Sequence, residues 1–265
     1  MTQQQDITNL DIARRMERNY INGFRLLSGI NGTIFSEDED TAEFWSGYSA
    51  AWINGVFRTN GSAKNLDEIV ARTLRKNPAV PMLWRVGVLT SEAERVGEAL
   101  IARGLRDAGT VPALALLRGQ LVNSPQPAEL TIEVVSSPAH VSDWLEPYCT
   151  AFDLNETIRG HFEQFIRGRL SSSQTEAWFV GYVGNKPACC AYYLTTSEIT
   201  VIYNVATLSD FRNRGYGSSL VEAAIKHAWK NSAYPIALYS SEMGLSVYRK
   251  IGFKDVYRLG EFVRE

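Results

Sequence analysis

The stretch from Glu176 to Trp229 constrains the chain most. Three runs rich in β-branched and aromatic residues, EAWFVGYV, KPACCAYYLTT and EITVIYNVA, follow one another with short polar breaks. Each has the length and content of a strand, and VGNK at 183–186 reads as a hairpin turn between the first two. RNRGYG (212–217) comes next, then the helical text SSLVEAAIKHAWK. Upstream, LTIEVV (130–135) alternates like a strand. SPAHVSDWLEPYCTAF, with Pro138 near its start, and NETIRGHFEQFIRGRL (155–170) read as helices. Downstream come a strand in PIALYSS, a short helix in GLSVYRKI and a strand in FKDVYRLGEFV. The order from residue 130 is β-α-α-β-β-β-α-β-α-β, an α+β layer arrangement.

The first half reads differently. NLDIARRMERNYINGFRLL sets Ile12, Met16, Tyr20 and Phe24 on one helical face, and NLDEIVARTLRK (65–76) is a further helix. SEAERVGEALIARGL (91–105) is a third, with Ser91 as cap, Glu94 three residues on and Gly104 as terminator. VPMLWRVG (80–87) is a short strand, SEDED (36–40) a solvated loop or helix start, and the Asn-Gly pairs at 22, 31, 54 and 60 read as turns. LVNSPQPAE (121–129) interrupts the pattern as a linker, so the expected domains are a helix-rich 1–124 and an α+β 129–265.

Composition excludes several functions. Lys plus Arg total 27 against 29 acidic residues, a net charge of −2. The split is 14 basic and 14 acidic up to Val122, leaving 13 and 15 after it. Neither half has the basic surplus of a nucleic-acid binder. No stretch approaches the roughly 20 apolar residues of a membrane span, and the polar N-terminal text is no secretory signal. Cys149, Cys189 and Cys190 are an odd set, and His140, His161 and His227 are widely spaced, so no metal pattern emerges. The thiols read as reduced core groups of a cytoplasmic protein.

RNRGYG carries the chemistry. A strand ending in a turn that opens a helix leaves backbone N–H groups unpaired, and the helix dipole adds partial positive charge. Gly215 and Gly217 let that backbone approach a ligand closely, and Arg212 or Arg214 adds charge-assisted hydrogen bonds. Such a place suits a phosphate. Neither G-x-x-x-x-G-K-[ST] nor a completed G-x-G-x-x-G is present, position 220 being leucine.

NVATLSDFRNRGYGSSLVEAAI together with LYSSEMGLSVYRKIGF, 24 residues past Arg214, closely resembles the GNAT superfamily of acyl-CoA N-acyltransferases. The family's Arg/Gln-x-x-Gly-x-Gly/Ala motif is matched by Arg212, Asn213, Arg214, Gly215, Tyr216 and Gly217. Its later tyrosine and Gly-Phe pair are matched by Tyr248, Gly252 and Phe253. The resemblance implies a GNAT-like mixed sheet flanked by helices, with acetyl-CoA as cosubstrate. The N–H groups of 213–218, Ser218 included, would hold its pyrophosphate. The backbone of Val205, Ala206 and Thr207 would pair with the pantetheine arm where the strand splays from its neighbour, and the N–H of Val205 would stabilise the developing oxyanion. Tyr248 would be the general acid for the leaving thiolate: a phenol near pKa ~10 stays protonated at neutral pH, and the thiol's pKa is about 8.5. The chain has Ser241-Glu242-Met243-Gly244 where many members carry Asn-x-x-Ala, so Ser241 is left to offer a hydroxyl to cofactor or tyrosine. Position 209 is serine where proline is common.

For a general base, Glu198, Glu156 and Asp153 are the carboxylate candidates, each also readable as a solvated charge, and His161 reads as a helix-surface residue. NPAVPMLWRVGVLTSEAERVGEALIARGL resembles the first copy of tandem GNAT proteins, degenerate here because no R-x-x-G-x-G turn precedes residue 122. That half would shape the acceptor pocket, or simply pack on the sheet or make a homodimer contact. Three readings stand: an N-acetyltransferase acting on a small-molecule or protein amine, a noncatalytic CoA-binding sensor or scaffold, and a partner-interaction protein using the first half.

Overall fold

The computed structural model describes residues 7–62, 65–170 and 175–265. By its internal contacts the chain forms two compact units: residues up to Ala113 together with Val256–Glu265, and Leu114–Asp255.

In the first unit the order is α1 (Asn9–Leu27), β1 (Ile34–Glu37), β2 (Thr41–Trp45), β3 (Asn54–Thr59), α2 (Leu66–Lys76), β4 (Met82–Val86), α3 (Ala93–Ile101) and β5 (Arg106–Leu116). Helix α1 starts at a reciprocal cap: Asp11 N–H donates to the Thr8 hydroxyl and Thr8 N–H to the Asp11 carboxylate. Its expected apolar face holds, with Ile12, Met16 and Phe24 buried. β1 and β2 pair antiparallel, as do β2 and β3; β3 and β4 pair parallel. Trp84, Val56, Val70, Leu66, Val96 and Leu100 form the core between these strands and helices α2 and α3.

Several local expectations fail here, each for a visible reason. Asn22 and Gly23 lie inside α1, where Asn22 accepts from the Arg25 guanidinium and the apolar repeat carries the helix onward. Asn54 and Gly55 open β3; the buried Asn54 amide donates to the Tyr48, Ala50 and Pro81 carbonyls at 2.8–3.1 Å and ties the preceding loop to the sheet. Helix α3 begins at Ala93 without a side-chain cap, because the Ser91 hydroxyl is exchanged with the backbone of Gly61. β1, β2, β3 and β5 had no expected counterpart.

The second unit contains β6 (Leu130–Val134), α4 (Pro138–Ala151), α5 (Glu156–Arg169), β7 (Glu176–Val183), β8 (Lys186–Thr196), β9 (Ile199–Thr207), α6 (Tyr216–Asn231), β10 (Ile236–Tyr239) and α7 (Leu245–Ile251). Every element expected after residue 130 is present in the expected order. β6 through β9 pair antiparallel in succession, β9 and β10 pair parallel, and the end of β5 lies beside β10. Pro138 sits at the first turn of α4 behind the Ser137 cap, and Asn155 caps α5. The core runs from Phe179, Ala191, Tyr193 and Ile202 on the sheet to Leu220, Val221, Ala224 and Ile225 of α6, with Leu245, Ile251 and Phe253 beyond them.

The last strand, β11 (Lys254–Arg264), leaves α7 and pairs antiparallel with β4, Gly260–Arg264 against Val86–Met82. The segment at 121–129 is fastened within the second unit. Val122 N–H donates to the Ile251 carbonyl at 2.8 Å, Ser124 N–H donates to Glu222, and the Gln126 amide donates to the Leu130 carbonyl.

The two units repeat one pattern. Three antiparallel strands, a helix, a strand parallel to the third, and another helix occur as β1-β2-β3-α2-β4-α3 and as β7-β8-β9-α6-β10-α7. The third strand of each carries one extra residue near its end. In β3, Val56 and Arg58 face the adjacent Glu43 and Ala42, with Phe57 extra. In β9, Tyr203 and Ala206 face Tyr192 and Cys190, so Asn204 and Val205 together oppose Ala191.

Candidate active site

β9 pairs with β10 only through Thr200–Ile202 against Ile236–Leu238. Beyond Ile202 the ladder between them stops, while β9 runs on to Thr207. Because the two strands are parallel, their C-terminal ends lie on the same side, where open α/β sheets commonly form ligand crevices. β9 leads there into the glycine–arginine turn, and β10 into Ser241 and α7.

The bulge fixes which backbone groups face this opening. Asn204 takes a left-handed conformation, φ 55°, which asparagine tolerates better than the β-branched residues around it. Leu208 N–H donates to the Ala188 carbonyl across the β8–β9 pairing at 3.0 Å. N–H groups alternate sides along a strand, so that of Ala206 also faces β8 and those of Val205 and Thr207 face away from it.

After Thr207 a short 3₁₀ turn, Ser209–Phe211, leads to Arg212, whose Nε donates to the Thr207 carbonyl at 3.0 Å. Asn213 and Gly215 are both left-handed, φ 61° and 79°, and Gly215 is the N-cap of α6. A glycine cap brings no oxygen of its own, and no side chain of the described residues caps this helix. The first helical bond is Ser219 N–H to the Gly215 carbonyl, 3.0 Å, leaving the N–H groups of Tyr216, Gly217 and Ser218 directed out of the helix end. The Ser218 hydroxyl donates to the same carbonyl. A Cβ on Gly217 would lie 3.1 Å from the Thr207 hydroxyl, tighter than ordinary contact, so the helix start approaches the strand end closely. Arg212, Asn213 and Arg214 are exposed around this turn. The turn thus combines an uncapped helix N-terminus, close backbone approach and exposed guanidiniums, features that suit a phosphate.

The Tyr216 ring is buried in the core, and its hydroxyl donates to Glu129 at 2.7 Å; that bond is the main cause lowering the Glu129 carboxyl and raising the Tyr216 phenol. Ser241 caps the turn Glu242–Gly244, its oxygen accepting from Gly244 N–H at 3.3 Å. Tyr248 is half-buried on α7, edge-on to Phe253 at 6.0 Å, and desolvation pushes its phenol up to about 12.

The suggested bases fall elsewhere. Glu198 sits in the β8–β9 turn, six residues before Asn204, or roughly 20 Å along a strand. Asp153 and Glu156 are exposed where α4 passes into α5. His161 is fully buried, contrary to the expected surface position, because it shares the buried side of α5 with Phe162, Phe165 and Ile166; burial lowers its pKa. The bulge at Asn204 was missed, although an asparagine inside VIYNVAT was a legible signal. Cys190, whose thiol donates to the carbonyl of the bulged Asn204, carried none.

Residues 174–255 match the family described as Acetyltransferase (GNAT) domain. A GCN5-related N-acetyltransferase from Kribbella flavida superposes with a TM-score of 0.72 at 14% identity, covering 95% of each chain. One from Sphaerobacter thermophilus gives 0.65 at 14%, covering 96% of this chain and 91% of the other. A functionally unknown conserved protein from Staphylococcus epidermidis gives 0.63 at 15%, covering 86% and 91%. No curated protein sequence matches the chain. Residues 174–255 thus match the GNAT acetyltransferase domain, and the fold is like that of these GCN5-related N-acetyltransferases. No helix among the described residues is long and apolar enough to cross a membrane.

Proposed function

We propose that the protein is an acetyl-CoA-dependent N-acetyltransferase with one working site, in the second unit, that moves an acetyl group to a primary amine by direct attack on the thioester. The observation that carries this reading is the parting of β9 from β10 beside an uncapped helix start. In this reading the N–H groups of 213–218, with Arg212 and Arg214, hold the pyrophosphate. The backbone of Val205, Ala206 and Thr207 takes the pantetheine arm, and Ser241 lies on the opposite lip. Val205 N–H steadies the charge developing on the thioester oxygen. Tyr248 gives the departing thiolate a hydrogen bond or a proton. Acetyl-CoA supplies the activated acyl group; the residues named here bind it, orient it and handle the proton.

The first unit repeats the strand and bulge pattern without the R-x-x-G-x-G turn, and we read it as a noncatalytic copy. The acceptor is a small-molecule or protein amine, with neither nucleic acid nor membrane as partner. The three buried free cysteines fit a reducing, cytoplasmic setting.

The test is release of CoA thiol from acetyl-CoA against a panel of primary amines. Turnover that disappears in Gly217→Trp supports the reading. Tight acetyl-CoA binding with no turnover on any amine moves the protein to a CoA-binding sensor or scaffold.

A further inference from the structure

A β-bulge interrupts a ladder, and its carbonyls must find other donors or lose free energy. Here a side chain serves one of them. The Cys190 thiol donates to the carbonyl of Asn204, the bulged residue, at 3.5 Å.

This contact bears on the site. The carbonyl of Asn204 and the N–H of Val205 belong to one peptide group. No peptide bond among the described residues is cis, so the two point in opposite directions. With the carbonyl held toward Cys190 of β8, the Val205 N–H points to the open side of β9. This is the direction already derived from strand alternation, reached here through a different contact. A hydrogen bond to an amide's oxygen also polarises the amide and makes its N–H a better donor.

We propose that Cys190 is a positioning residue: its thiol orients and polarises the Asn204–Val205 peptide, whose N–H serves as the oxyanion donor. The proposal rests on the acetyltransferase reading of the same site. Cys190 is fully buried, and desolvation raises its thiol well above the ordinary value, so it stays protonated and able to donate. Serine at this position would keep a donor; alanine would remove it.

The experiment compares wild type, Cys190→Ser and Cys190→Ala by two measurements. First, the backbone amide resonance of Val205 is followed in the ligand-free proteins. It is expected to move in Cys190→Ala and stay closer to wild type in Cys190→Ser, with the amides of Ile202 and Leu208 little changed. Second, infrared difference spectra of bound acetyl-CoA, ¹³C-labelled at the acetyl carbonyl, read the polarisation of the thioester. The band is expected to shift toward that of free acetyl-CoA in the alanine variant only. Turnover should fall about two- to twelvefold, the worth of one ordinary hydrogen bond, with KM for acetyl-CoA little changed. A Val205 amide that ignores the loss of the thiol overturns the proposal whether or not acetyl-CoA binds. So does a serine variant that loses the carbonyl shift while still binding. If wild type binds no acetyl-CoA, the acetyltransferase reading falls by itself, and the amide measurement still decides what Cys190 does to the peptide.

Discussion

Replacing Tyr248 by phenylalanine removes one hydroxyl and keeps the ring that packs against Phe253. The phenol is raised to about 12 by burial. The thiol of the leaving group has a pKa of about 8.5, so complete proton transfer from Tyr248 to the thiolate is uphill by roughly 5 kcal/mol. Tyr248 is therefore expected to stabilise the thiolate chiefly by donating a hydrogen bond. A hydrogen bond to a charged group contributes about 1.5–3 kcal/mol, so kcat should fall roughly 10- to 150-fold, with acetyl-CoA affinity nearly unchanged. The pH profile gives a second reading. With a pKa of about 12, Tyr248 would be only about 1% ionised at pH 10, where an ordinary tyrosine is half ionised. Its loss of the proton should thus put no alkaline limb on the rate below about pH 11. The assay is thiol release at saturating acetyl-CoA and amine, from pH 7 to 10.5, for both proteins. A phenylalanine variant within twofold of wild type removes Tyr248 from the mechanism. A loss beyond about 10⁴-fold contradicts the hydrogen-bond assignment and points to obligatory proton transfer.

Gly217→Trp should abolish acetyl-CoA binding by filling the gap between the start of α6 and Thr207, where a Cβ alone already lies 3.1 Å from the hydroxyl; calorimetry reads the loss, and normal affinity would refute the cradle. Tyr216→Phe should leave acetyl-CoA affinity within about threefold, because the lost hydroxyl bonds Glu129 and only the backbone of Tyr216 is assigned to the ligand. Glu17→Ala should destabilise the fold by about 2–4 kcal/mol in urea titration, since buried Glu17 accepts the N–H groups of Val88 and Leu89 at 2.6 and 2.9 Å. Burial raises the Glu17 pKa above its unfolded value. Its protonation-linked stability is therefore fully present below about pH 4.3 and lost as pH rises through the folded value, a slope the alanine variant should lack.

The second unit was legible because its signals are local and agree. Alternating apolar runs, the VGNK turn, Pro138 behind Ser137 and glycines at the start of α6 each specify one conformation, and the structure contains all of them. The first unit hid its strands. β1 is short, largely exposed and continuous with the acidic SEDED run, and β5 begins with five exposed residues and contains Gly109 and Pro112. Such stretches become strands through their sheet partners rather than through their own pattern. The Asn-Gly pairs show the same limit: Asn31 takes the expected turn conformation, whereas Asn22 is held in a helix and Asn54 in a strand by side-chain partners. The candidate site divides likewise. RNRGYG announced its turn, but the contact of Cys190 with the bulged Asn204 depends on register across β8 and β9, which no local motif encodes.

The proposed function rests on a single acyl-CoA site, built on the parted end of β9 and the uncapped start of α6. Titrating acetyl-CoA into the purified protein by calorimetry tests it most directly. One equivalent per chain is expected, with binding lost in Gly217→Trp. Two equivalents would show that the first unit also binds, and no binding would leave a GNAT fold without its cosubstrate and refute the proposed site.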